Sequence, residues 1–194
     1  AFSDPPVRQD LVDPVSLCGD FKGPDQPDPR TVRHDDDENT WLAPFIMASI
    51  NTKTVHRTNY LTGFRHGEGL VYDERVVTGP GDDGKKRADA MAADNSMSSD
   101  DGPKPGEGPS KEERENGFYE LVLVAVSADG SRQETVVRGD KDPGYGSTSK
   151  IISEVARCLN EDISEGEGGI QTPGAALGAK LIDRLHTRAG VTFD

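Results

Sequence analysis

Apolar residues are scarce in this chain, and with them the features of several common protein classes. Only 32% of its 194 residues are hydrophobic, against about 45–50% in soluble domains by a count that includes Gly and omits Tyr. No stretch approaches the roughly 18–20 consecutive apolar residues that cross a bilayer. No basic segment precedes an apolar one as in a signal peptide. We therefore expect no membrane-spanning segment. We expect an intracellular, cytoplasmic location, and peripheral association with a membrane or an organelle is left open.

Positive charge and cysteine are also in short supply. The 22 Lys and Arg residues face 35 Asp and Glu, giving a net charge of −13. Nucleic-acid binders need clustered positive charge, so we expect no nucleic-acid partner. Cys18 and Cys158 are too few for a disulfide scaffold or a four-ligand zinc site, and the histidines lack a spacing such as HExxH. We therefore predict no metal site and assign Cys158, which lies among apolar residues, to the core.

The apolar deficit is concentrated in two segments. Residues 1–40 contain six prolines and an acidic run at 35–38, which predicts an extended acidic arm with one turn near residues 14–17. Residues 80–117 contain no Val, Ile, Leu or aromatic residue. Such a composition buries too little surface to offset its ordering entropy, and we predict a flexible insertion at about residues 81–102. The remainder, residues 41–194, is predicted to form one domain.

Ordered elements are predicted between and after these segments. Thr40 is a plausible N-cap for a helix from Trp41 to about Gly63, and weak alternation predicts a strand over residues 69–78. The later elements are a strand at 118–127, a hairpin turn at 129–130, a return strand at 133–138, helices at 147–162 and 173–190, and a strand at 191–193. This order predicts an α+β fold, mostly an antiparallel sheet with helices packed on one face.

The loop GDKDPGYGSTSK, residues 139–150, allows two interpretations. It can be a strand-to-helix turn in which Ser147 or Thr148 caps the next helix. It can also be a ligand site, in which N–H groups at the helix N-terminus bind an anion beside Tyr145. It is not a phosphate-binding P-loop, because the GxxxxGK[ST] spacing is absent.

A second candidate site lies at residues 50–60. Asn51 and Asn59 are eight residues apart and share a helix face, while Lys53, His56 and Arg57 form a positive island in an acidic chain. Such an island can receive a carboxylate or phosphate, including that of a nicotinamide cofactor. The alternative is a solvated helix face paired with neighbouring acids. No GxGxxG follows a strand, so this sequence has no dinucleotide-binding fingerprint of its own.

Four sequence blocks, in order between Trp41 and Phe193, point to one family. They are APFIMASINT with HRTN at 43–59, KPGEGPSKEERENG at 104–117, GDKDPGYGSTSK at 139–150, and GIQTPGAALGAKLIDRL at 169–185. Together they resemble the saccharopine dehydrogenase-like oxidoreductases, in the subgroup that contains the trans-acting enoyl reductases. A family-like block at 104–117 also implies that this segment is held against the domain rather than being a free linker.

The resemblance implies an oxidoreductase whose N-terminal Rossmann domain binds NAD or NADP. This chain would be the C-terminal portion, which covers the nicotinamide, binds the substrate and contributes to dimer contacts. The nucleotide-binding half is not in this sequence. We expect that half to lie on another polypeptide or to have been lost, or this chain to be a fragment. We expect no enzymatic turnover from the chain alone.

We therefore predict the substrate-binding portion of an NAD(P)H-dependent reductase acting on an enoyl or imine-like substrate, a small molecule or an acyl group. Tyr145 is the candidate catalytic proton donor, and Asn51, Arg57, Asn59 and Ser147 are candidate substrate-binding residues. The cofactor-binding residues are not assigned. The alternative is a non-catalytic binding or dimerisation module that acts through a partner chain.

Overall fold

Two compact units make up the chain, Ala1–Gly102 and Pro103–Asp194. The computed structural model describes residues 5–94, 106–164, 166 and 168–194. Each unit combines helices with a small three-stranded antiparallel sheet. The predicted α+β class and antiparallel pairing are therefore confirmed, with the strands divided between two sheets.

The described part of the first unit begins with a helix and ends with one. In chain order its elements are α1 Pro5–Val12, β1 Arg33–Asp35, β2 Thr40–Pro44, α2 Ala48–Leu61, β3 Arg75–Gly79 and α3 Gly81–Ala93. The sheet order is β1-β2-β3, so β2 is central. The arm predicted over residues 1–40 thus contains α1 and β1, while residues 21–32 form neither helix nor strand and residues 14–20 include the expected turn.

The helix predicted from Trp41 is wrong in its first part. Residues 40–44 form the central strand β2, and α2 begins only at Ala48. Leu42 and Ala43 are buried in the sheet, which outweighs the helical spacing of the apolar residues. Pro44 was the available signal, because the residue before a proline is pushed towards extended backbone. The predicted strand at 69–78 is also shorter, since β3 covers only Arg75–Gly79.

Residues 81–93 form helix α3, which corrects the flexible insertion predicted there; residues 95–102 lie outside the described part. Gly84 and Ala88 are its buried residues. A Cβ on Gly84 would lie 1.9 Å from the carbonyl oxygen of Gly79 and 3.3 Å from Cδ1 of Trp41. Helix and sheet therefore approach at a distance that only glycine allows.

Long cationic side chains complete the packing of α3. The Lys85 ammonium lies 5.3 Å from the centre of the Trp41 ring, a cation–π contact. Arg87 donates from Nε and Nη2 to the carbonyl oxygen of Thr78 at 2.8 and 2.6 Å. The absence of Val, Ile and Leu conceals this helix in the sequence, because small residues and long cationic side chains pack it against the sheet.

The second unit has six described regular elements and a π-helical turn. They are α4 Lys111–Asn116, β4 Tyr119–Val126, β5 Arg132–Gly139, α5 Gly146–Glu161, α6 Pro173–Arg184, the π-helical turn Leu185–Ala189 and β6 Val191–Phe193. The sheet order is β4-β5-β6. The hairpin, both long helices and the final strand were predicted, and the structure confirms them. Thr172 caps α6 as expected, since its hydroxyl accepts a hydrogen bond from the Ala175 amide at 3.3 Å.

Helices α5 and α6 pack through a small apolar core and a buried ion network. Cys158, Leu177 and Leu181 are buried together, which confirms Cys158 as a core residue. Beside them, the buried Arg184 guanidinium bonds to carboxylates of α5 and the residue after it, namely Glu154 at 3.1 Å, Glu161 at 2.6 Å and Asp162. Hydrogen bonds to Arg184 lower the pKa of both Glu161 and Asp162. One cation thus joins the two helices by bonding three acids.

The close approach at Gly84 predicts a stability effect. Ala has the higher helix propensity by about 1 kcal/mol, yet we expect Gly84→Ala to lower the free energy of unfolding of the first unit by about 1–3 kcal/mol, because the new methyl group meets backbone. Urea denaturation followed by the fluorescence of Trp41, the single tryptophan, measures this unit. Gly69→Ala is the control, with open space at its Cβ and an expected change within about 0.5 kcal/mol. Equal midpoints for the two variants would contradict the packing described here.

Candidate functional site

The turn between β5 and α5 is organised by the carboxylate of Asp142. Its Oδ1 accepts the backbone N–H groups of Gly144 and Tyr145, both at 3.0 Å, and its Oδ2 accepts that of Gly146 at 2.5 Å. The Asp142 carbonyl oxygen accepts the N–H of Ser147 at 2.8 Å. The N–H groups of residues 144–147 are therefore bound within the chain. Of the two interpretations of this loop, the structure shows the capped turn, with Asp142 rather than Ser147 or Thr148 as the capping group.

The charge of Asp142 is stabilised by this geometry. Burial by itself disfavours the ionised carboxylate, but the N–H groups of Gly146, Tyr145 and Gly144 outweigh it, and the net result lowers the pKa of Asp142. The positive charge of Arg114 acts in the same direction. The turn is thus built around an ionised acid.

The segment before β4 is packed against this turn. The Asp142 amide donates to the Arg114 carbonyl oxygen at 3.3 Å, and Lys141 Nζ donates to the Glu115 carbonyl oxygen at 3.1 Å. A Cβ on Gly117 would lie 2.7 Å from Cα of Asp142. The expectation that residues 104–117 are held against the domain is confirmed for residues 106–117, the described part.

Tyr145 and Ser147 lie in this turn but differ in accessibility. Tyr145 is 54% exposed, and its ring lies beside Gly108, where a Cβ would be 3.1 Å from Cζ. Ser147 is fully buried, and its hydroxyl is 3.1 Å from the hydroxyl of Tyr119. Ser147 therefore has a structural contact inside the unit, whereas Tyr145 is presented to solvent. Their substrate roles remain predictions.

In the first unit, Asn51 is held by a carboxylate that the sequence pattern did not reveal. Asn51 Nδ2 donates to both Glu74 oxygens, at 2.9 and 3.2 Å. Burial and then the adjoining Glu74 carboxylate raise the pKa of Tyr72 to about 12, so this phenol keeps its proton. Its backbone N–H is fixed by Gln26 Oε1 at 2.9 Å. Glu74 lies 23 residues after Asn51, and no short-range motif joins two residues so far apart.

The predicted positive island is bound to the N-terminal arm. Lys53 Nζ donates to the Asp13 carbonyl oxygen, and Arg57 Nη1 donates to that of Leu17 at 2.7 Å. The Arg57 guanidinium also lies 5.7 Å from the centre of the Tyr60 ring. Both cations therefore donate to backbone carbonyls of the N-terminal arm.

Asn59 and His56 are on the buried face of α2. Asn59 Nδ2 donates to the Gly67 carbonyl oxygen at 2.8 Å, and its Oδ1 accepts the His66 N–H at 2.9 Å. Burial lowers the pKa of His56, so its imidazole is neutral at pH 7. Asn59 thus fixes the loop after α2, and ligand binding by Asn51, Arg57 and Asn59 remains a prediction.

Among the described residues, no three His, Cys, Asp or Glu side chains are placed together so that they could hold a metal ion. Among the same residues, no helix has the length and apolar character needed to cross a membrane.

The bonds to Asp142 predict a pH-dependent stability. The pKa of Asp142 is lower in the folded state than in the unfolded state. Its ionised carboxylate therefore stabilises the fold above the unfolded-state pKa of about 3.9, and this stabilisation is lost as the pH falls through the folded-state pKa. We expect Asp142→Asn to melt several degrees below the unaltered chain at pH 7. Below about pH 4, we expect the melting temperatures of the two proteins to converge. Differential scanning calorimetry measures both. Asp183→Asn, the same change on an exposed residue of α6, serves as the control and should melt like the unaltered chain at every pH.

Several known proteins are similar to this chain in sequence. No family model matches the sequence, and no solved structure matches it. A Mycobacterium tuberculosis protein with the provisional name trans-acting enoyl reductase is 32% identical over the whole chain. The trans-acting enoyl reductases of Mycobacterium bovis and Mycobacterium ulcerans are 27% and 29% identical over 95% of it. The chain spans about half the length of these relatives, 50–52%. It is therefore similar, from end to end, to half of a trans-acting enoyl reductase.

Proposed function

We propose that this chain is the substrate-binding portion of an NAD(P)H-dependent enoyl reductase, the C-terminal part of a saccharopine dehydrogenase-like oxidoreductase. The observation that carries the proposal is the end-to-end similarity to proteins named trans-acting enoyl reductases. The four family-like blocks between Trp41 and Phe193 are part of this similarity. Dimer formation remains an expectation of the same resemblance, with no surface assigned to it.

The described residues fit poorly to the phosphates of a nicotinamide coenzyme. At the start of α5, the N–H groups that would bind a phosphate bond to Asp142. On α2, Lys53 and Arg57 hold carbonyl oxygens of the arm. We therefore assign coenzyme binding to the half of the relatives' length that this chain does not span, with NAD and NADP as alternatives. When bound there, the coenzyme would supply the hydride.

The residues of this chain would bind the acyl substrate and deliver the proton that completes reduction of a C=C bond. Hydride addition at one carbon leaves negative charge that a proton must quench at the other. Tyr145 is the candidate donor because its phenol is exposed and its backbone N–H is fixed by Asp142. Asn51, oriented by Glu74, is the candidate donor of a hydrogen bond to the substrate carbonyl. Arg57 and Asn59 in the first unit and Ser147 in the second are the other candidate substrate-binding residues.

A first experiment tests the division of labour between the two halves. The chain alone should neither bind NADPH, measured by NADPH fluorescence, nor oxidise it with an α,β-unsaturated acyl thioester. A polypeptide that carries both halves should do both. Tight NADPH binding and enoyl reduction by the isolated chain would show that it is a complete reductase. NADPH binding by the full polypeptide without reduction of enoyl or imine substrates would favour the non-catalytic binding module.

The four tyrosines allow a matched test of the proton donor. In the polypeptide that carries both halves, we expect Tyr145→Phe to lower kcat by about 100-fold or more, because general acid catalysis contributes on that scale. Tyr60→Phe should leave kcat within a few fold. Tyr72→Phe is the decisive comparison, since this phenol adjoins Glu74 beside Asn51. A loss confined to Tyr72→Phe would move the donor to the first unit and contradict the role of Tyr145.

A further inference from the structure

The backbone of Tyr145 is fixed, but the backbone alone does not decide where its phenol lies. The Tyr145 N–H donates to Asp142 Oδ1 at 3.0 Å, and the Tyr145 carbonyl oxygen accepts the Ser149 N–H at 2.9 Å. The side chain is 54% exposed, and a side chain in solvent can adopt several rotamers. The position of the hydroxyl therefore depends on what lies beside the ring.

The ring lies beside Gly108, at its hydroxyl end. A Cβ added to Gly108 would be 3.1 Å from Cζ, 3.2 Å from Cε2 and 3.4 Å from the hydroxyl oxygen of Tyr145. The φ of Gly108 is not positive, so no left-handed backbone conformation requires glycine at this position. What glycine provides at position 108 is the space that the phenol occupies.

Arg114 holds the segment that contains Gly108. Its Nη1 donates to the carbonyl oxygen of Pro109, the next residue, at 2.5 Å. Ser110 and Glu113 then form a reciprocal capping box: the Glu113 N–H donates to Ser110 Oγ at 3.2 Å, and the Ser110 N–H donates to Glu113 Oε2 at 2.7 Å. Gly108 is thus two residues from the fixed start of α4, and its neighbour is bound by the Arg114 guanidinium.

The same arginine is bound to the turn that carries Tyr145. The Arg114 carbonyl oxygen accepts the Asp142 N–H at 3.3 Å, and a Cβ added to Gly146 would lie 2.7 Å from that oxygen. The guanidinium charge also helps to lower the pKa of Asp142. Arg114 therefore connects the two segments that meet at the Tyr145 ring, one through its side chain and the other through its backbone.

We propose that Gly108 and Arg114 are positioning residues that fix the place from which the Tyr145 hydroxyl delivers its proton. Gly108 acts by direct contact with the ring, and Arg114 acts through Pro109 and Asp142. The proposal rests on the proposed function, in which Tyr145 is the proton donor. A donor must lie within hydrogen-bond reach of the atom that it protonates, and a misplacement of 1 Å can lower a rate about 100-fold.

A methyl group at position 108 tests the contact. Because the Tyr145 ring is exposed, we expect Gly108→Ala to displace the phenol rather than to unfold the unit. In the polypeptide that carries both halves, kcat should fall about tenfold or more, with KM within a few fold and the melting temperature within about 2 °C. Gly168→Ala is the matched control, because it makes the same change in the same unit with open space at its Cβ. It should leave kcat unchanged.

Two substitutions of Arg114 test its side chain. Arg114→Met removes the guanidinium that binds Pro109 and should lower kcat about tenfold. Arg114→Lys keeps the positive charge and a donor that can bond to the same carbonyl oxygen, so its kcat should stay within a few fold of the unaltered value. This pair keeps the proposal testable if Gly108→Ala fails to fold.

A double-mutant cycle separates positioning from general damage to the structure. When Tyr145→Phe is already present, no phenol remains to be positioned, and Gly108→Ala or Arg114→Met should change kcat by less than about twofold. Substitutions that merely damaged the structure would lower kcat by the same factor with Tyr or Phe at position 145. Such additivity would overturn the positioning role.

The outcomes distinguish this proposal from the proposed function. If Tyr145→Phe lowers kcat but Gly108→Ala and Arg114→Met do not, the positioning role is wrong and the donor role stands. If Tyr145→Phe leaves kcat unchanged, both roles are wrong. The contact itself is measured in the unaltered chain by nuclear Overhauser effects, which we expect between the α-protons of Gly108 and the ring protons of Tyr145. Their absence would overturn the proposal without any assay of activity.

Discussion

The carboxylate of Asp142 is the constraint on which the second unit depends. It binds three consecutive N–H groups at the start of α5, and the backbone of the same residue bonds to Arg114 at the end of α4. A Cβ added to Gly117 would lie 2.7 Å from the Cα of Asp142. A Cβ added to Gly146 would lie 2.7 Å from the Oδ2 of Asp142. Gly117 and Gly146, one from each of two family-like blocks, are therefore explained by packing around one ionised acid, without invoking a ligand.

Charged groups do similar work elsewhere, which explains how a chain with 32% hydrophobic residues forms compact units. Lys53 and Arg57 of α2 bond to carbonyl oxygens of the arm. Arg75 donates to the carbonyl oxygens of Asp28 and Thr31, and Arg184 joins α5 to α6. Backbone carbonyls and buried acids thus take the place of part of an apolar core. A charge-assisted bond of this kind contributes more than a neutral one.

Sequence reasoning succeeded where structure is local and failed where it depends on distant contacts. The hairpin, α5, α6 and β6 follow from alternation, a two-residue turn and an N-cap. By contrast, β2 is a strand because it is central in a sheet, and α3 is ordered because Gly84 allows it to approach the Gly79 backbone. The same limit applies to the candidate site: Asn51 is a candidate from its motif, but its partner Glu74 comes from a remote loop and is visible only once the chain is folded.

The contacts of the cations inside the units bear on the proposal that this chain binds the substrate and that the coenzyme binds to the other half of the reductase. A nicotinamide coenzyme carries phosphates, but Lys53 and Arg57 of α2 hold backbone carbonyls, and the Gly146 N–H at the start of α5 bonds to Asp142. What α2 and the residues before it present outward near Asn51 is apolar, since Ile46, Met47 and Ile50 are exposed there. An apolar surface beside one oriented amide matches an acyl chain and its carbonyl better than it matches a dinucleotide. This favours substrate binding as the role of the chain within the reductase proposed above.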